Sequence, residues 1–309
     1  MKSISEDPWK SPGVEWGEDR GYLLTLGDGQ RRVLCADEGM TEWLSRFAAI
    51  LRLAPGCVGN GPVIYYMSRG GVSPRLFAGW ECHPLRFFRV WCHPKSPDMI
   101  LESSWTWEEK RFIPYIMMHE ALSVLCTDLH VPTALPLHTA ALARDAGDGG
   151  AVALLAPSGT GKSTCAARVP SPWEPLCDDM ALIVRDSDGA FRLHPLPTWS
   201  EVTMRGRTDL TWDVCRHLPL QAVYLLEQGD RDRVTEVGNG EATAAIFRSS
   251  VQIMTPYLNR LDPADVIVLK RRFLENACTL ASALPAFRLR ATISGRFWEA
   301  IEGSLADER

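Results

Sequence analysis

The stretch Ala151-Val-Ala-Leu-Leu-Ala-Pro-Ser-Gly-Thr-Gly-Lys-Ser-Thr164 decides how this chain reads. Its first five residues form an unbroken apolar run, the pattern of a strand buried on both faces. Glycines follow, and then Lys162, Ser163 and Thr164. A buried strand opening through glycines into Lys-Ser-Thr is the layout of a phosphate-binding P-loop. The chemistry needs this order. Glycines let the backbone N–H groups from Ser158 through Gly159, Thr160 and Gly161 turn toward phosphate oxygens, and the helix start beyond them adds its positive end. Lys162 is placed to reach the outer phosphates, and the Ser163 hydroxyl to sit on magnesium. Ala156 stands where the pattern has its first glycine, which negative φ tolerates. Pro157 has no N–H, so the donors begin at Ser158.

Downstream, Leu176-Cys-Asp-Asp-Met-Ala-Leu-Ile-Val184 reads as a strand carrying two consecutive carboxylates, Asp178 and Asp179. Successive strand residues face opposite ways, so only one aspartate of a regular strand can face the phosphates. At a strand end or a bulge both can. One would then hold magnesium while the other accepts a proton from an attacking hydroxyl. The segment His194-Pro-Leu-Pro-Thr-Trp199 either lines an acceptor groove, with Trp199 as an anchor, or is a rigid crossover packed on the core.

The 309 residues suffice for one large domain or two, and 46% apolar with 23% charged content is ordinary for a globular chain. A net charge of −5 without a basic run argues against nucleic-acid binding. The N-terminus lacks the apolar stretch of a signal peptide, and no run approaches a membrane span. Nine scattered cysteines form no disulfide framework. The expectation is reduced thiols in a cytoplasmic protein. Cys82-His83 and Cys92-His93 flank a segment that reads as one strand, which would hold them apart and argues against a shared zinc ion.

Along the chain, Gly21–Leu26 and Arg31–Ala36 predict a hairpin, and Thr41–Leu53 a helix. Val63–Met67, Leu76–Glu81 and Leu85–Cys92 predict strands, and Glu108–Leu129 a long connecting helix with Pro114 near its start. Beyond Val131, strands are expected at Leu137–Ala143, Gly150–Leu155, Phe191–Pro195, Ala222–Leu226, Val266–Leu269 and Phe287–Ala291. The first two bracket a turn over 144–149. Helices are expected at Ala242–Ser249, Arg271–Leu280 and Phe297–Leu305.

Leu137-His138, the loop Ala156–Thr164 and Cys-Asp-Asp-Met-Ala-Leu-Ile-Val184 together resemble the HPr kinase/phosphorylase family and its relatives. The likeness runs from about Pro136 to Gly206, with weaker similarity to the C-terminus. It implies an α/β (α+β) chain with two domains. Residues 131–309 would be a P-loop kinase domain of the HPr kinase and phosphoenolpyruvate carboxykinase type, behind a smaller strand-rich domain over 1–130 that could recognise substrate. It implies ATP bound by Lys162 and the amides of Ser158–Thr164, with Mg2+ on Ser163 and Asp179. Asp178 would be the base toward a serine of a protein or peptide. Glu201 falls where that family has a metal-binding glutamate, although the spacing to Arg205 is longer here. His138 matches a histidine near the transferred phosphate, and family members form homo-oligomers. The residues alone leave two other readings open, a small-molecule kinase and a non-catalytic nucleotide-sensing or assembly module.

Overall fold

The computed structural model describes residues 21–56, 61–70, 79–105, 113–128, 131–144 and 149–307. The N-terminal stretch read for a signal peptide lies outside them, as do the first half of the expected strand Leu76–Glu81, the expected helix start at 108–112 and the turn at 145–148. The protein is mixed α/β, with two sheets and seven helices among the described residues. It divides into two compact units, Met1–Thr25 with Gly29–Leu122, and Leu26–Asp28 with Ser123–Arg309.

The first unit holds a seven-stranded sheet. Its strands are β1 (Gly21–Leu26), β2 (Gln30–Ala36), β3 (Ala54–Gly56), β4 (Val63–Met67), β5 (Glu81–Pro84), β6 (Phe88–His93) and β7 (Ser96–Ser103), in the order β3-β1-β2-β4-β7-β6-β5. Helix α1 (Thr41–Ile50) ends before the expected Leu53, because Arg52 turns the chain at a φ of 52°. The segment expected as one strand over Leu85–Cys92 is instead bent, with Leu85 N–H donating to the Phe88 carbonyl at 2.7 Å. Cys82 and Cys92 therefore lie on paired neighbouring strands, with Cys82 opposite Trp91 and Glu81 opposite Cys92, rather than at the two ends of one strand. Strand β7 escaped prediction because Pro94, Pro97 and Asp98 read as loop. The Asp98 carboxylate in fact accepts the Val63 N–H at 2.7 Å.

Under this sheet Trp43 is fully buried, its ring 5.2 Å from those of both Phe47 and Tyr66 and 5.8 Å from Phe88. Its indole N–H donates to the Pro114 carbonyl at 3.3 Å, so the largest apolar side chain also keeps its polar atom paired. Pro114 sits in the first turn of α2 (Ile113–Thr127), where a missing N–H does no harm.

The second unit is built on β8 (Leu135–Arg144), β9 (Ala151–Leu155), β10 (Trp173–Cys177), β11 (Met180–Arg185), β12 (Phe191–Pro195), β13 (Leu218–Gln228), β14 (Arg233–Glu236) and β15 (Ala286–Ala291). Strand β9 lies between β8 and β13, parallel to β13, and every residue of it is buried. That burial explains its continuous apolar sequence. The pairings of β8, β11, β12, β13 and β9 close into a circuit. The helices are α3 (Lys162–Arg168), α4 (Trp199–Arg205), α5 (Asn239–Leu258), α6 (Pro263–Ala283) and α7 (Phe297–Asp307).

Two expectations for this unit are corrected. Val266–Leu269 lies within α6 and not in the sheet. A four-residue apolar run does not separate strand from helix, and here Pro263 opens a helix that buries Leu269, Phe273, Ala277 and Leu280 at helical spacing. The expected strand Leu176–Val184 is interrupted. Cys177 ends β10, Met180 begins β11, and the two aspartates occupy the bend between them.

His194 on β12 is fully buried. Its Nδ1 pairs with the Val214 carbonyl at 2.8 Å, which leaves Nε2 to accept the Gly27 N–H at 3.0 Å. Burial pushes its pKa from 6.5 down to about 4, the Val214 bond pulls it back up, and His217 lowers it further. Between those values the unfolded chain binds a proton that the folded one refuses, so stability falls as the pH drops from 6.5 toward 4. The His194→Gln variant is expected to show a smaller loss of Tm over this window than wild type, measured by thermal melts at stepped pH. Independently, Trp43→Ala is expected to destabilise the first unit by about 3–5 kcal/mol, read from urea unfolding.

Candidate functional site

Strand β9 delivers the chain into the loop Ala156–Gly161, and α3 begins at Lys162. Gly159 and Gly161 take φ of 82° and 114°, values that a side chain resists. Around both glycines a Cβ would meet nothing within 4 Å, so glycine is needed there for backbone conformation and not for room. Ser158, Gly159, Ser163 and Thr164 are exposed, and Thr160 and Gly161 are half-buried. Gln228 at the end of β13 donates to the Thr160 carbonyl at 3.3 Å.

Lys162 is 6% exposed. Its ammonium donates to the carbonyls of Ala156 at 2.8 Å and Pro157 at 3.4 Å, within its own loop. Burial lowers its pKa from the ordinary lysine value, while the charges of Asp179 and then Asp178 push it back up. Both aspartates therefore lie close enough to the loop lysine to act on its charge.

The sheet register explains that proximity. Thr139 on β8 pairs with Leu155, the last residue of β9, on one side. On the other side its N–H donates to the Asp179 carbonyl at 3.1 Å. The entrance to the loop and the acidic bend are thus two strand spacings apart, about 10 Å. Asp179 Oδ1 lies 3.4 Å from Nε2 of His138, whose side chain is 7% exposed. The His138 Nδ1 is buried without a hydrogen-bond partner among the described residues. Asp178 Oδ1 accepts a hydrogen bond from Thr198 Oγ at 2.6 Å.

Lys162, Asp178, Asp179 and His138 are therefore brought together. Glu201 lies one helical turn beyond Thr198, its N–H donating to the Thr198 carbonyl at 3.1 Å. It sits in the first turn of α4 and pairs with Arg205 on the same helix at 2.5 Å. Among the described residues, no three His, Cys, Asp or Glu side chains gather around a common point. The oxygen donors Ser163 and Asp179 still suit magnesium, which takes one or two carboxylates and fills its shell with phosphate oxygens and water. The crossover from Pro195 to Trp199 is buried throughout, so Trp199 is packed in the protein and is no exposed anchor. Cys177, next to the acidic pair, is no nucleophile, since burial pushes its thiol up to about 12.

Thr198 escaped sequence reasoning, since a threonine after two prolines carries no signal for a partner 20 residues upstream. The same holds for Gln228 and for Ser249, whose hydroxyl donates to the His138 carbonyl at 3.1 Å. Gly161→Ala is expected to lower stability by about 1–2 kcal/mol through backbone strain. Gly240→Ala, in the first turn of α5 with open space around it, should instead leave stability unchanged or raise it slightly. Chemical denaturation of the two variants checks the contrast.

The resemblance to the HPr kinase/phosphorylase family does not stand. The family model that matches is described as SynChlorMet cassette protein ScmC, and it covers residues 106–306, about two thirds of the chain. The strings behind the earlier likeness were a glycine-rich loop and an acidic pair, short local patterns that unrelated families share. No curated protein matches the chain. No helix among the described residues is long and apolar enough to cross a membrane. The match embraces the loop, the acidic bend and His138, and by it the chain belongs to the ScmC family, SynChlorMet cassette protein ScmC.

Proposed function

We propose that the second unit is a P-loop kinase domain that transfers the γ-phosphate of ATP to a serine hydroxyl of a protein or peptide. The observation that carries this reading is the register that sets the acidic bend across Thr139 from the entrance of the lysine loop. A loop able to cradle phosphate, beside a pair of carboxylates able to take a proton, is the minimal equipment for phosphoryl transfer.

The residues divide the work as follows. The amides from Ser158 to Thr164 cradle the donor phosphates, and the glycine φ values turn that backbone. Lys162 leaves its loop carbonyls to neutralise charge on the outer phosphates. Asp178 accepts the proton of the acceptor hydroxyl as that oxygen bonds to the γ-phosphorus and the bond to the β-phosphate oxygen breaks, releasing ADP. Ser163 and Asp179 would hold magnesium, which supplies charge neutralisation between the phosphates when bound. His138 pairs with Asp179 and fixes that carboxylate's orientation.

The test is incubation of purified protein with magnesium and γ-labelled ATP, with lysate or candidate peptides as acceptors. Lys162→Ala is expected to abolish label transfer. Asp178→Asn should slow transfer by roughly 10²–10⁴-fold while changing ATP affinity little, because a base acts in the transition state. Full transfer by Lys162→Ala would sink the reading. ATP binding with no macromolecule labelled would point to a small-metabolite acceptor or to a nucleotide-sensing module.

A further inference from the structure

The bend carrying Asp178 and Asp179 is held from its far side by the crossover between β12 and α4. Leu196 N–H donates to the Met180 carbonyl at 3.1 Å, so the crossover runs alongside the first residue after the bend. Pro195 and Pro197 fix two of its φ angles. Thr198 follows, 4% exposed, at the N-cap position of α4. A threonine there ordinarily turns its hydroxyl onto a helix N–H. This one makes no such bond. Its carbonyl accepts the Glu201 N–H at 3.1 Å, and its hydroxyl donates to Asp178 Oδ1 at 2.6 Å.

We infer that Thr198 is the positioning residue for Asp178. This rests on the phosphotransfer reading and adds the device that sets up the base. A carboxylate on a bend is free to rotate about its last torsion. One short hydrogen bond to Oδ1 from a buried hydroxyl on a proline-fixed segment removes that freedom and leaves Oδ2 to take the acceptor's proton. Hydrogen bonds to ionised groups are among the stronger ones, so the orientation is well held. Thr198 touches no reacting atom in this scheme, and its effect passes entirely through Asp178.

The experiment compares Thr198→Val, which keeps the shape and removes the hydroxyl, with Thr198→Ser, which keeps the hydroxyl. Release of labelled phosphate from γ-labelled ATP and magnesium is followed with water as acceptor, beside binding of a fluorescent ATP analogue. Thr198→Val is expected to lower kcat roughly ten- to hundredfold with the analogue's Kd and the Tm nearly unchanged, and Thr198→Ser to restore most of the rate. In an Asp178→Asn background, Thr198→Val should add no further loss, because the two act as one unit. Wild-type turnover by Thr198→Val, equal impairment of both variants, or a full additional loss in the Asp178→Asn background overturns the inference and leaves the phosphotransfer reading intact. A wild-type protein that binds the analogue but releases no phosphate, to water or to any labelled acceptor, overturns both together.

Discussion

The pairing of Thr139 between Leu155 and Asp179 is the constraint on which the candidate site depends. Strand β8 runs unbroken through this point, and its neighbours change along its length: β11 beside Leu135–His138, and β9 and β10 beside the residues from Thr139 to Arg144. A one-residue slip on either side would turn the acidic bend or the loop entrance toward the opposite face. The register is protected by burial. Thr139 has no exposed surface, and its hydroxyl donates to the Leu154 and Ala140 carbonyls at 3.0 and 2.9 Å. An unpaired hydroxyl at such a position would be costly, so the side chain and the strand pairing enforce each other.

Around this anchor the charges are arranged in tension. Lys162 is drawn out of water, which weakens its hold on its proton, and the two aspartates restore that hold. Desolvation makes each of these charges act more strongly on its neighbours than it would at the surface. The loop carbonyls of Ala156 and Pro157 satisfy the ammonium through bonds that a phosphate oxygen can replace. Burial likewise raises the thiols of Cys165 and Cys177, which keeps both protonated.

Much of the second unit was legible because its signals are local. An all-buried strand must be apolar throughout, and Ala151–Leu155 is. A loop with φ beyond 80° needs glycine, and Gly159 and Gly161 stand there. The unread parts are those whose cause lies far along the chain. The break between Cys177 and Met180 looks like continuous strand because Leu176 and the run from Met180 to Val184 both suit a sheet. The helix over Val266–Leu269 was hidden by β-branched residues that read as strand, although Ile267 and Val268 stand exposed on α6 and only Leu269 of the run is buried. Strand β7 was masked by prolines tolerated at its start. The family likeness misled for a related reason, since short strings of a few residues carry too little of the chain to report ancestry.

By itself, then, the sequence determined the groups available: a glycine-rich loop after a buried strand, a lysine and hydroxyls at its exit, and two adjacent carboxylates. Residue type and short spacing fix these, because glycine conformations and strand burial act within a few residues. Only the tertiary structure decided which groups meet. It set Asp179 beside His138, gave Asp178 its partner in Thr198, kept Glu201 with Arg205, and buried Trp199. Those outcomes follow from strand register and from a proline-fixed crossover between distant segments, and no local pattern encodes a pairing made across the sheet.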